Sequence, residues 1–222
     1  MCVTATLFGC ASGSTPLADI LSGLALESFG SGTQPTLAAK TNPSFRYLRI
    51  EVVGRAPALL VLGYIDSDPQ GDIEVWYSAK HEVIKMQNGR IVGTTGLEID
   101  WRSVRFVSSP LAWSAVPVQG SSYRRLRDEM PGYRYAISDQ VALTPWIGVP
   151  PVTLSSTLPG QPAHAYRWFR ETTVSTNAPA LPPAWFALGM HRGQPSVVYS
   201  EQCLSATFCL KLQRWPTQEN TP

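Results

Sequence analysis

The sequence predicts a mainly β protein: antiparallel meander sheets forming a curved sandwich or open barrel, preceded by one short N-terminal helix. Three observations predict it. Gly 17 and Pro 19 in 222 residues place a turn former or helix breaker at about one position in six, which leaves no room for coiled coils, helical solenoids or a helix bundle. From Phe45 onward the apolar residues recur with period two, the period of a strand with one buried face. Asn88-Gly89 then separates two such alternating segments. This pair is the strongest short hairpin signal, because a type I′ turn needs positive φ at both central residues.

The elements follow in order. Leu17 to Phe29 (LADILSGLALESF) spaces Leu17, Ile20, Leu21, Leu24 and Ala25 on one helical face, and Gly30 and Gly32 end it. Strands are expected over Phe45–Val53, Pro57–Ile65, Ile73–Ser78, Glu82–Gln87 and Arg90–Thr94, so that residues 45–107 read as an antiparallel meander. Residues 108–163 are less regular and rich in proline, with candidate strands at Tyr133–Ile137, Val141–Pro145 and, at an edge, Pro150–Leu158. The β pattern resumes over Tyr166–Thr176, Ala184–Met190, Ser196–Glu201 and Phe208–Trp215. LVLGYID, IEVWYS and VIKMQNG have an echo in WFALGMH, SVVYSE and CLKLQRW. Two β half-units, about 45–107 and 133–215, would produce that echo. No linker divides them, so residues 17–222 read as a single domain.

Composition narrows the function classes. Eighteen basic and 16 acidic residues give a net charge of +2 without a Lys/Arg block, which argues against nucleic acid as a partner. No apolar run reaches the 18 residues of a spanning helix; the longest, Ala56–Ile65, contains Pro57 and Gly63. Any membrane association is therefore expected through a lipid anchor only. Residues 1–10, MCVTATLFGC, are uncharged and mostly apolar. They read as the remnant of a lipoprotein signal peptide, in which LFGC is a lipobox, Cys10 is the lipidated first mature residue and residues 11–16 are a tether. The alternative is a frayed apolar terminus with two ordinary cysteines. Cys203 and Cys209, six apart, close a small disulfide loop in an oxidising compartment or else are two buried thiols. A zinc site is not expected from one such pair with the histidines far away in sequence.

Other motifs give no chemistry. Asp66 to Asp72 imitates the start of a calcium loop, but Tyr77 stands at the closing bidentate position, so a polar hairpin turn is the better reading. Gly89, Gly93 and Gly96 match no phosphate-binding spacing. His81, His164 and His191 share no ligand spacing, and no G-x-S-x-G is present. No acidic pair is singled out for glycoside hydrolysis. The basic cluster Tyr123–Arg127 reads as an exposed helix turn or strand rather than an anionic-polymer site. Aromatic residues are the more suggestive feature: Trp76, Tyr77, Trp101, Trp113 and Trp146 are candidate stacking platforms for sugars. Core packing is the competing assignment for each.

The segment FRYLRIEVVGRAPALLVLGYID…IEVWYSAKHEVIKMQNGRIVGTTGLEIDW resembles the GfcB/YjbF type of lipoprotein from group 4 capsule and exopolysaccharide operons. The likeness rests on Leu60–Gly63, Trp76, Val83–Val92 and Thr94–Leu97, with SVVYSEQ at 196–202 resembling the family's final strands. The resemblance implies a lipid-tethered, mainly antiparallel β domain in the periplasm. Ala11, where Asp would retain a lipoprotein at the inner membrane, implies the periplasmic face of the outer membrane. The implied role is accessory and non-enzymatic, in assembly or export of capsule or exopolysaccharide. The implied partners are the polymer or proteins of the export complex, without a cofactor or metal. A polysaccharide-modifying hydrolase and a carrier of an apolar ligand are the alternatives.

Overall fold

The computed structural model describes residues 41–52, 54–148 and 163–215. Cys10, the tether, the expected helix over Leu17–Phe29 and the edge strand over Pro150–Leu158 lie outside the described residues. Twelve strands are present: β1 (Tyr47–Val52), β2 (Ala58–Asp66), β3 (Ile73–Tyr77), β4 (Val83–Gln87), β5 (Arg90–Thr95), β6 (Asp100–Ser108), β7 (Ser121–Met130), β8 (Arg134–Trp146), β9 (Arg167–Ser175), β10 (Ala184–His191), β11 (Gln194–Cys203) and β12 (Cys209–Trp215). Among the described residues the only helical pieces are single 3-10 turns at Trp113–Ala115 and Ala163–Ala165.

All twelve strands join one antiparallel sheet in the order β5-β4-β3-β2-β1-β12-β11-β10-β9-β8-β7-β6. Each neighbour in the sheet is a neighbour in sequence, except that β1 pairs with β12 and so joins two meanders, β1–β5 and β6–β12. The sheet coils into a nearly closed barrel whose free edges are β5 and β6. Asp100 shapes the corner between these edges. Its carboxylate accepts the Thr94 hydroxyl at 3.0 Å, the Gly96 amide at 2.9 Å and the Leu97 amide at 3.2 Å.

The first five strands fall where the alternation predicts them. The β4–β5 hairpin turns on Asn88 and Gly89 with φ of +49° and +81°, the double positive φ of a type I′ turn. The middle of the chain departs from expectation. Tyr133–Ile137 and Val141–Pro145 are parts of one 13-residue strand, β8. The Tyr123–Arg127 cluster lies within β7, where Tyr123, Arg125 and Arg127 point inward and are buried. The prediction of an exposed cluster fails because its alternate residues face opposite sides of the sheet. Cys203 and Cys209 stand opposite one another across the β11–β12 hairpin and are joined as a disulfide.

The inner face holds the core. On the β1–β5 side Leu48, Leu60, Trp76, Ile84, Ile91, Leu210 and Leu212 pack together; toward β8–β11 the cluster is Trp113, Leu143, Phe169, Phe186, Leu188 and Val197. Cross-strand register carries these residues around the barrel. Leu48 opposes Leu60, Ile50 opposes Leu212, and Phe186 opposes Phe169.

Candidate functional site

The structure divides the five aromatic candidates between the two faces of the sheet. Trp76 (0% exposed), Trp101 (2%) and Trp113 (8%) are inside. A buried indole has no face to offer a sugar, so these three are core residues rather than stacking platforms. Their NH groups and ring faces are engaged. Trp101 Nε1 donates to the Leu204 carbonyl at 3.0 Å, and Trp113 Nε1 donates to the Asn88 carbonyl at 2.9 Å. Arg214 lies over the Trp76 ring at 5.4 Å, and Arg125 over Trp101 at 4.6 Å.

These rings sit among buried charges. Arg90, on the inner side of β5, sends Nε to Glu171 Oε1 at 2.8 Å, while Tyr123 OH donates to Glu171 Oε2 at 3.0 Å. Burial works against the Arg90 charge, but Glu171 and Tyr123 outweigh it and hold its pKa above the ordinary value. The Tyr123 phenol is pushed upward, first by burial and then by the Glu171 carboxylate. A second set joins Arg125 and Arg127 to Asp139, each through Nε at 2.9 Å, with Ser175 Oγ donating to the same carboxylate at 2.7 Å. Glu129 bridges Arg127 and Arg134. At another position Glu74 receives Arg46 at 2.9 Å and Arg214 at 2.8 Å and 2.6 Å.

Tyr77 and Trp146 lie on the outer face and are half-buried. Tyr77 forms a tilted pair with the exposed Tyr64, ring centroids 6.3 Å apart. Its hydroxyl is shifted upward by burial and by a hydrogen bond with Tyr64. Gly63 makes this seat: a Cβ there would come within 2.5 Å of Tyr77 Cε2. Farther around the sheet, Trp146 and Trp185 meet edge to face at 4.8 Å, and Arg170 stands 5.9 Å over the Trp185 ring. Tyr166 covers Gly189 in the same way that Tyr77 covers Gly63, and burial raises its pKa. The outer face thus combines the half-buried rings of Trp146, Tyr166 and Trp185, packed against the buried Trp168, Ala187 and Tyr199, with a neighbouring guanidinium. That combination suits carbohydrate contact. Tyr166, Tyr64 and Arg170 were not singled out from the sequence, because period two alone does not say which face of a strand lies inside.

His81, His164 and Asp68 lie in turns at the ends of strands. His81 occupies a turn with φ +68°, and His164 is exposed. Asp68 caps the β2–β3 turn, accepting the Gln70 amide at 2.8 Å and Gln87 Nε2 at 3.0 Å. Among the described residues no group of three or more His, Cys, Asp or Glu is placed to hold a metal ion. No helix among them is long and apolar enough to cross a membrane.

The family model for "Group 4 capsule polysaccharide lipoprotein gfcB, YjbF" matches residues 32–146, just over half of the chain. The chain belongs to the YjbF family. The fold is also that of the hypothetical lipoprotein YmcC from Escherichia coli (K12), whose crystal structure superimposes with a TM-score of 0.60 at 18% identity. The match covers 79% of this chain and 85% of that one. Among curated proteins no match is found. The segments that carry the YjbF resemblance form the interior lock of the fold. Trp76 fills the first core cluster, Val83–Val92 spans the hairpin that delivers Arg90, and Thr94–Leu97 makes the corner held by Asp100. The YjbF match ends at Trp146, so Glu171, the partner of Arg90, lies beyond it.

Proposed function

We propose that this YjbF protein is a lipid-anchored, non-enzymatic accessory of capsule or exopolysaccharide assembly or export. It meets the polymer on the outer face of its barrel. Family membership supplies the polysaccharide context, and the half-buried outer aromatic surface at Trp146, Trp185 and Tyr166 is the observation that supports direct contact. Lipidation at Cys10 and residence at the periplasmic face of the outer membrane complete the reading. Docking onto export-complex proteins is the competing role for the same surface.

Isothermal titration of the chain from Ser12 onward with polysaccharide purified from its own host tests the reading. Saturable binding is expected, weakened in Trp185→Ala and Tyr77→Ala and unchanged in an exposed control such as Val118→Ala. A folded domain that binds no polymer transfers the assignment to protein docking. The anchor is tested separately. Cys10→Ser is expected to abolish metabolic labelling by palmitate and to release the protein from the outer-membrane fraction.

A further inference from the structure

The inward arginines of the second meander, Arg125, Arg127 and Arg214, are all ion-paired, unlike three of its outward ones. In the first meander and its turns, Arg46, Arg49 and Arg55 each meet a glutamate, at 2.9 Å, 3.0 Å and 2.8 Å. On the outer side of β6 and β7, Arg102, Arg105 and Arg124 are exposed, and none makes an ion pair among the described residues. The register places Arg105 and Arg124 on one continuous surface. Arg105 opposes Leu126, Arg124 stands two residues before Leu126, and Arg124 opposes Gln140 of β8. Gln140 and Ala142 in turn oppose Val174 and Thr172 of β9, and Arg170 follows opposite Thr144. Arg170 is half-buried, and its Nε has no acceptor.

The nearby acid on this face, Asp128, makes no ion pair among the described residues. It accepts the Ser103 hydroxyl and the Ala136 amide, each at 2.8 Å. The strip has an excess of positive charge, Arg105, Arg124 and Arg170 against the carboxylate of Asp128, interleaved with amide and hydroxyl side chains, and it runs into the rings of Trp185 and Trp146. From Arg124 to Arg170 the surface extends about 14 Å along the strands and about 10 Å across them, long enough to contact several consecutive sugars. Neighbouring like charges on a sheet are unfavourable. Such a cluster is compensated when an anion lies across it, and planar guanidinium groups suit carboxylate and phosphate oxygens.

The geometry points to an acidic polysaccharide, carrying uronate or phosphate groups, as the occupant of the β6–β9 outer face, with Arg105 and Arg124 selecting for charge and Arg170 joining the basic strip to the aromatic end. This inference rests on the polymer-handling role proposed above and names the polymer's chemical class.

Binding of the full chain to polygalacturonate, a phosphomannan and neutral dextran, each at low and physiological salt, tests it alongside polymer extracted from the host. Polygalacturonate or phosphomannan is expected to bind more tightly than dextran and to weaken with salt. The double substitution Arg105→Gln/Arg124→Gln is expected to lower that affinity by roughly tenfold or more and to leave dextran binding as it was. The two acidic polymers separate carboxylate from phosphate recognition. Both residues are exposed, and near-UV circular dichroism checks that the variant is folded. Host-polymer binding that is indifferent to these substitutions overturns the assignment of charge selection while leaving the polymer-handling role intact. Failure to bind any of the four polymers overturns both.

Discussion

The guanidinium of Arg90 lies 3.9 Å from the ring centroid of Trp113, while its Nε donates to Glu171 at 2.8 Å. Arg90 comes from the first meander, Trp113 from the 3-10 turn between β6 and β7, and Glu171 from β9. One side chain therefore connects opposite walls of the barrel through an ion pair and a cation–π contact.

Arg90→Met is expected to cost about 3–5 kcal/mol, because it leaves the Glu171 carboxylate buried without its cation. Arg90→Met/Glu171→Gln is expected to recover much of that loss. Chemical denaturation of the three proteins checks this, and equal losses in the single and double variants would disprove the account.

Gly89 approaches Val197 so closely that a Cβ would lie 2.5 Å from the valine Cβ, at a φ of +81°. Gly89→Ala is expected to destabilise by about 2–4 kcal/mol from backbone strain and overpacking together. In a double-mutant cycle with Val197→Gly the two changes should couple favourably. Simple additivity would show that close approach is not the cause.

Removing the disulfide by Cys203→Ser/Cys209→Ser is expected to cost about 2 kcal/mol, the loop-closure value for so short a separation. Reductant should bring the wild-type protein to the same stability and leave the double variant unaffected. A wild-type midpoint unmoved by reductant would contradict the prediction.

Glu201 opposes Lys211 on the outer face, and its Oε2 is buried without a donor. Burial raises its pKa, Lys211 acts in the opposite direction, and Glu51 adds to the rise. The folded protein therefore keeps this proton to higher pH than the unfolded chain. The contribution is favourable at low pH and is lost as pH rises from 4.5 through the raised value. Glu201→Gln should be more stable than wild type above that window and lose its advantage below it. Parallel stability curves from pH 3 to 8 would rule this out.

The legible part of the fold was the part with an apolar inner face. Leu48, Leu60, Trp76 and Ile84 line that face, and short apolar or alternating runs bounded by turn residues located β1 to β4, although Tyr47, Leu59, Val61 and Val75 beside them are buried too. Asn88 and Gly89 supplied the turn by their tolerance of positive φ. β7 was hidden because its inward positions are Tyr123, Arg125, Arg127 and Glu129, which make the strand polar on both sides. Their partners Asp139 and Glu171 lie 14 and 48 residues away from Arg125 and Tyr123 respectively, and no local pattern signals such pairings. The site was legible as a residue type, aromatic, but not as a location. Trp76 and Tyr77 are adjacent in sequence and stand on opposite faces of β3.

The pairing of β1 with β12 has a consequence for how the chain is assembled. An N-to-C growing polypeptide can form the β1–β5 meander early, but β1 keeps an unsatisfied backbone edge until Cys209–Trp215 arrives. Arg90 likewise waits for Glu171. A truncation shortly before residue 209 would therefore remove one strand by length yet open the sheet at its middle, leaving two adhesive edges where the full chain has a continuous wall. Nascent-chain arrest or proteolytic clipping at that point should yield a species prone to strand capture rather than a slightly smaller domain.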